Sequence, residues 1–334
     1  MSRKRTALAA ALSLLQLGQP LLLGSTAVLA TGLVLLSTQA ADAQSEAFYK
    51  KSGNAKVRKG DYQGAIADYN KAIEINPKDA DAYNNLGLAK SKLGDDQGAI
   101  ADYNRAIEIN PQYARAYNNR GLAKSKLADN QGAIADYNMA IEINPVYLYG
   151  FLNRGLAKKN LNKYQEAIAD YNKAIAINPQ LATAYNKRGL AKVDLKDYQG
   201  AIADYNKAIA INPKDAAAYN NRGAVKGKSG DNQAAIADFN TAIEIDLQYA
   251  DAYINRGLAK FNLGDNQGAI TDYSEAIQID PQDAFAYNNR GYATWKLKDY
   301  QSACNDFKKA ASLGSQSTAK WLNKEDGEWC RNMR

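Results

Sequence analysis

Residues 80–111 read ADAYNNLGLAKSKLGDDQGAIADYNRAIEINP, and close copies of this stretch run through most of the chain. Within it, Tyr83, Gly87 and Leu93 form one apolar series, and Ala99, Ile100, Tyr103, Ala106 and Ile107 form another. Recurrence at three and four residues is the period of an amphipathic helix, so each series predicts a helix of about a dozen residues. Gly94 suits the C-cap of the first helix and Asp95 the N-cap of the second, while Asn110-Pro111 stops the second before the next copy begins.

The glycines fix the repeat length. Gly53, Gly87, Gly121, Gly155, Gly189, Gly223, Gly257 and Gly291 are each 34 residues apart, giving eight copies that start at residues 46, 80, 114, 148, 182, 216, 250 and 284. The prolines keep the same step from Pro77 to Pro281, with Leu247 standing where the sixth would fall. Two helices of this length cannot bury their apolar faces alone, whereas a stack of such hairpins can, so the fold class expected is an all-α solenoid.

Numbered from the start of each repeat, an aromatic at position 4, glycine at 8, alanine at 20, an aromatic at 24, alanine at 27 and proline at 32 resemble the tetratricopeptide repeat. Repeat three shows them as Tyr117, Gly121, Ala133, Tyr137, Ala140 and Pro145. The resemblance covers residues 46–317, and wording such as NNRGLAK and AIADYNKAIEINP is similar to repeats of cyanobacterial proteins. It implies a right-handed superhelix whose first helices line a groove for partner peptides.

Composition narrows the function classes. The chain has 334 residues with 46% apolar and 23% charged side chains, an ordinary globular balance. It contains no histidine, which removes imidazole-based triads and zinc sites, and about seventeen residues follow the repeats, too few for a catalytic domain. The expectation is a chain that is not an enzyme and takes no cofactor or metal; a substrate-recruiting arm of an enzyme complex is the remoter alternative. The formal charge of +7 falls to +5 once Arg3, Lys4, Arg5 and Asp42 are removed, too mild and too evenly spread for nucleic acid.

Those charged residues flank a long apolar stretch from Ala7 to Leu36, followed by Ala41-Asp42-Ala43. The layout is that of a signal peptide over residues 1–43, with a retained N-terminal membrane anchor as the alternative. Both place the repeats outside the cytoplasm: periplasmic, extracellular or, for a cyanobacterial chain, in the thylakoid lumen. In an oxidising compartment Cys304 and Cys330 are expected to form a disulfide worth on the order of 3 kcal/mol, stapling a cap over residues 318–334 to the last repeat.

Several columns are expected to be architecture. Tyrosines at positions 4 and 24 fill space between helices. Aspartate at position 23 in all eight repeats faces arginine at position 7 in repeats three to eight, from Arg120 to Arg290. A bidentate Arg/Asp ladder is favoured over a calcium array. Repeat six carries Gly227 inside its first helix and Ser229 in place of the usual leucine, read as a core residue, and is expected to be the soft point of the array.

The resemblance places positions 2, 5, 6, 9, 12 and 13 on the groove. Position 6 is asparagine at Asn85, Asn119, Asn153, Asn221, Asn255 and Asn289, with Lys51 and Lys187 in the other two repeats. Carboxamides donate and accept, so such a column can pair with the backbone of an extended peptide. Lys50, Asn54, Asn85, Arg115 and Asn119 match the positions at which chaperone-binding relatives hold a C-terminal carboxylate, although Asn119 lacks the charge expected there. The functional expectation is a scaffold or assembly factor for a protein or peptide partner, with purely structural self-association as the alternative.

Overall fold

The computed structural model describes residues 45–332, and the proposed signal peptide or anchor over 1–43 lies outside them. The described residues are helices and turns throughout. The chain separates into two compact units, one ending at Leu127 and one starting at Ala128, and each is taken by itself.

The N-terminal unit holds α1 over 45–58, α2 (Tyr62–Ile75), α3 (Ala80–Lys92), α4 (Asp96–Ile109) and α5 (Ala114–Lys126). The C-terminal unit opens with α6 (Asn130–Ile143). It continues through α7 (Leu148–Asn160), α8 (Tyr164–Ile177), α9 (Ala182–Asp194), α10 (Tyr198–Ile211), α11 (Ala216–Lys228), α12 (Asn232–Ile245), α13 (Ala250–Asn262), α14 (Asn266–Ile279), α15 (Ala284–Lys296) and α16 (Tyr300–Ser312). These are the expected first and second helices in alternation.

Local chemistry sets the boundaries. The aspartate at position 16 caps the second helix: Gly98 N–H donates to Asp95 Oδ1 at 2.8 Å and Gly200 N–H to Asp197 at 2.9 Å. Repeat four has Lys163 there, and no side chain caps α8. The turn into each new repeat is an Asx turn, as where Asn178 accepts from Gln180 N–H at 3.0 Å. It survives where Leu247 replaces proline, because Asp246 still accepts from Gln248 N–H at 2.9 Å. The residue closing the first helix has positive φ, comfortably at Gly94 (+87°) but against Cβ strain at Lys196 (+63°).

The core runs where helices of a hairpin meet. The position-24 rings, including Tyr69, Tyr103, Tyr171, Tyr205, Phe239, Tyr273 and Phe307, are at most 2% exposed, and the alanines at positions 20 and 27 are fully buried. Each ring lies against the position-8 glycine of its own repeat: a Cβ on Gly189 would stand 2.7 Å from Tyr205, and one on Gly257 2.8 Å from Tyr273. The hairpin therefore closes only around a residue without a side chain.

One sequence expectation needs correcting. The position-14 leucines, such as Leu93, Leu161 and Leu263, are exposed, so Ser229 in repeat six replaces a surface leucine and leaves no cavity. What remains of the weakness there is the helix-interior Gly227, worth about 1 kcal/mol.

The last hairpin is closed by α17 (Gln316–Leu322), a 3₁₀ turn (Glu325–Gly327) and α18 (Glu328–Arg331). Ser315 is the N-cap of α17. Trp321 packs edge-on to Phe307 at 4.9 Å, and Trp329 to Tyr300 at 5.8 Å. Cys304 and Cys330 are disulfide-bonded with Cα atoms 5.1 Å apart.

Two glycine substitutions separate close approach from mere flexibility. Gly189→Ala should destabilise by about 1–3 kcal/mol through overpacking against Tyr205. Gly227→Ala meets nothing nearer than 3.7 Å and should stabilise by about 0.5–1 kcal/mol. Equilibrium chemical denaturation of the two variants reads both signs.

Candidate functional site: the first-helix face and its clasps

The arginine at position 7 is not a groove residue. In the C-terminal unit Arg154, Arg188, Arg222, Arg256 and Arg290 each grip the position-23 aspartate of their own repeat with Nε and Nη2, the Nε bonds being 2.9–3.0 Å. The remaining Nη1 reaches back to position 25 of the preceding repeat: Asn138, Asn172, Asn206 and Asn240 accept at 2.6–2.8 Å, and Ser274 accepts from Arg290 at 3.1 Å. Each guanidinium also lies over a position-4 ring at 5.4–5.5 Å. One arginine thus joins both helices of its hairpin to the hairpin before it. In the N-terminal unit Arg120 makes the same backward bond, to Asn104 at 2.7 Å.

A lysine at position 11 completes the clasp, a column the sequence reading passed over although it keeps the 34-residue step. Lys158, Lys192, Lys226 and Lys260 reach the aspartates of their own repeats at 2.8–2.9 Å. Lys56 and Lys90 do so at 2.7 Å in repeats one and two, where position 7 holds Ser52 and Leu86 in place of arginine. No cluster of three or more metal-ligating side chains occurs among the described residues, and the aspartate column is held by cations of the chain itself.

The asparagines of position 6 are half-buried and tie repeats together. Asn119 Nδ2 donates to Asn84 Oδ1 at 2.9 Å, Asn221 to Asn186 at 2.9 Å and Asn255 to Asn220 at 3.0 Å. Asn85 makes the longer bond to Asn54, 3.4 Å. Asn153 occupies the same half-buried place on α7. The acceptor is always the position-5 or position-9 amide of the preceding repeat, and where it is missing the pattern breaks. Repeat seven has Ile254 at position 5, and Asn289 turns back to Phe285 O at 2.9 Å. Repeat four has Leu152 there, and Lys187 in repeat five is left with its pKa lowered by burial and by Lys159. Each tied carboxamide still has an N–H to offer, since one bond uses only part of its capacity.

Beside the asparagines runs position 9, a column placed on the groove by the family resemblance but whose leucines were not singled out from the sequence. The position-9 leucines Leu156, Leu190 and Leu258 are 37–38% exposed on the same helical face, with Tyr292 in repeat eight and Ala224 interrupting in repeat six. Exposed aromatics Tyr149 and Phe285 at position 2 and Trp295 at position 12 extend the apolar surface. The signal was the same 34-residue register.

The expected basic mouth is already occupied by the chain's own acids. Lys50 pairs with Glu46 at 2.9 Å and Asp79 at 2.6 Å. Burial alone would lower its pKa, but the bonds to Asp79 and Glu46 push it up to about 12. Asn54 accepts from Tyr69 Oη at 2.7 Å, and Arg115 sits on Tyr113 and reaches Asp81 at 3.2 Å. A carboxylate arriving there would have to displace Glu46, Asp79 or Asp81.

Comparison with known proteins agrees with this geometry. The family model described as "TPR repeat" matches residues 53–94, 91–127, 158–195, 190–230, 227–264 and 257–298, and that described as "Tetratricopeptide repeat" matches 114–147 and 286–314. The chain belongs to the tetratricopeptide repeat family. No curated protein matches it. Among solved structures, a tetratricopeptide repeat protein from Parabacteroides merdae is 22% identical with a TM-score of 0.61, the match covering 75% of this chain and 99% of that one. Pseudomonas aeruginosa pilF is 18% identical with a TM-score of 0.56, covering 64% and 96%. Yeast Tom70 is 17% identical at 0.59, covering 81% and 59%. At these identities the likeness is one of fold.

The clasps make a graded prediction. Arg256→Ala leaves Asp272 with Lys260 and should lose about 1–3 kcal/mol. Arg290→Ala strands Asp306 without a lysine and should lose about 3–5 kcal/mol, read by denaturation of each variant.

The aspartates also separate by pH. Burial raises the Asp102 pKa above the ordinary carboxylate value, and Lys90, without an arginine beside it, reverses this only in part. Burial acts the same way on Asp79, but bonds from Lys50, Glu46 and Ala82 N–H outweigh it and lower the pKa. Stability from Asp79 is present above its unfolded pKa and lost as pH falls through the depressed folded value. Asp102 has the opposite sign, stability declining as pH rises from its unfolded to its raised folded pKa. Carboxyl ¹³C NMR titration should place Asp102 above and Asp79 below the ordinary carboxylate range.

Proposed function

We propose that this protein is a non-enzymatic interaction scaffold that holds extended peptide segments of a polypeptide partner along the first-helix face of its C-terminal unit. The half-exposed leucine column of Leu156, Leu190 and Leu258 carries this reading. One apolar contact per repeat beside one carboxamide per repeat matches an extended chain, whose side chains need shallow apolar footing and whose backbone needs donors and acceptors. Asn153, Asn221, Asn255 and Asn289 supply the polar half, while Lys50 and Arg115 are committed to acids of their own chain and play no part. Residence outside the cytoplasm belongs to the same proposal and is supported by the Cys304–Cys330 disulfide, a bond that persists in oxidising compartments. Among the described residues no helix is long and apolar enough to cross a membrane.

The test is selection of linear peptides from a random library on the full chain. Selected peptides should lose at least about tenfold in affinity on joint Leu190→Asp and Leu258→Asp substitution, and keep it on Lys207→Asp, which changes an exposed residue of α10. Binders indifferent to the leucines would sink the reading. Sedimentation at several concentrations separates it from self-association.

A further inference from the structure

Repeat eight departs from the clasp in one place. Six repeats deliver a lysine ammonium to the position-23 aspartate, and in two of them the same nitrogen also donates to the position-19 carbonyl, Lys56 to Gly64 O and Lys192 to Gly200 O, both at 3.3 Å. Repeat eight has Thr294 at position 11, and its hydroxyl turns back to Arg290 O and Gly291 O at 2.9 Å each. Asp306 keeps Arg290, at 2.9 and 2.7 Å, but receives no ammonium. On the preceding repeat Ser274 stands where six others have the longer asparagine. The trimmed side chains leave an open cleft of about 530 Å³, its charged lining being Arg290, Asp299 and Asp306.

We propose that this cleft binds a primary alkylammonium, either a lysine side chain of a polypeptide or a free amine, its N–H groups donating to the Asp306 carboxylate and the Ser302 carbonyl. The chain's own repeats supply the template, because an ammonium fills the equivalent place wherever position 11 is lysine. The lining carries two carboxylates against one guanidinium, a balance that one monocation neutralises. Ile270 and Leu297 line the same cleft and offer footing to the methylenes of a lysine stem. None of the lining residues occupies a groove position, so the site stands independently of the peptide-binding reading.

The experiment is ¹H–¹⁵N NMR titration of the full chain with n-butylammonium, with tetramethylammonium as the cation lacking N–H donors. Saturable shifts at Thr294, Ser302 and Asp306 are expected with the first and not the second. Thr294→Lys, which installs the ammonium present in other repeats, should weaken binding at least about tenfold. Asp299→Ser, which keeps a capping hydroxyl while removing one charge, should weaken it as well. An acetylated and amidated Gly-Gly-Lys-Gly-Gly peptide assigns the source: tighter binding than n-butylammonium identifies a lysyl side chain, equal or weaker binding a free amine. Absence of saturable shifts, equal shifts with tetramethylammonium, or affinity unchanged in both variants would overturn the proposal.

Discussion

The architecture depends on the contact between a residue with no side chain and a buried ring. In every hairpin whose two helices lie in one unit, the position-8 glycine lets the first helix settle on the position-24 aromatic of the second, at a separation no Cβ could share. That approach fixes the hairpin, and it brings position 7 over position 23, because the neighbouring residues on both helices are carried along. A glycine to ring contact is apolar and undirected, however, and says nothing about where the next hairpin goes.

Direction comes from the arginine. Its guanidinium has donors enough to hold the aspartate through two nitrogens and still reach the preceding repeat through the third. The lysine at position 11 shares the same carboxylate, so a buried acid is compensated twice, and its desolvation is met by charge-assisted bonds. Repeats one and two use lysine alone, with opposite results: burial leaves the Asp102 pKa raised, whereas at Asp68 the bonds from Lys56 and Ser52 outweigh burial and lower it. On the other face of the first helix the asparagine ties repeat the same inter-repeat function with neutral groups. The stack is thus held by polar ties on two sides of a core made largely of alanine and single aromatic rings.

These ties also explain where surface chemistry is free to vary. A tie needs both partners, so a lone substitution releases the other residue. Ile254 releases Asn289 to its own helix, Leu152 leaves Lys187 without an amide to meet, and Thr294 leaves Asp306 short of an ammonium. At the C-terminal end Thr318 of α17 donates to Asn288 at 2.7 Å, standing in for the asparagine a further repeat would supply. The cap therefore closes the polar ladder as well as the aromatic core.

The sequence by itself determined the hairpin, its length of 34 residues, its caps and the Arg/Asp pairing, because each depends on residues close in sequence or repeated at a fixed step. Asp95 caps α4 through the local bond its position implies, and Arg222 finds Asp238 sixteen residues on, within one hairpin. Only the tertiary structure decided what the groove columns do. Whether Asn221 faces a ligand or a neighbour depends on the residue 35 positions back, and whether Lys50 is a free cation depends on Asp79 from the next repeat. Exposure was equally illegible: leucine at position 9 and leucine at position 14 both stay partly in solvent, and one-dimensional periodicity cannot distinguish them from core leucines such as Leu86, since burial is set by the hairpin packed alongside.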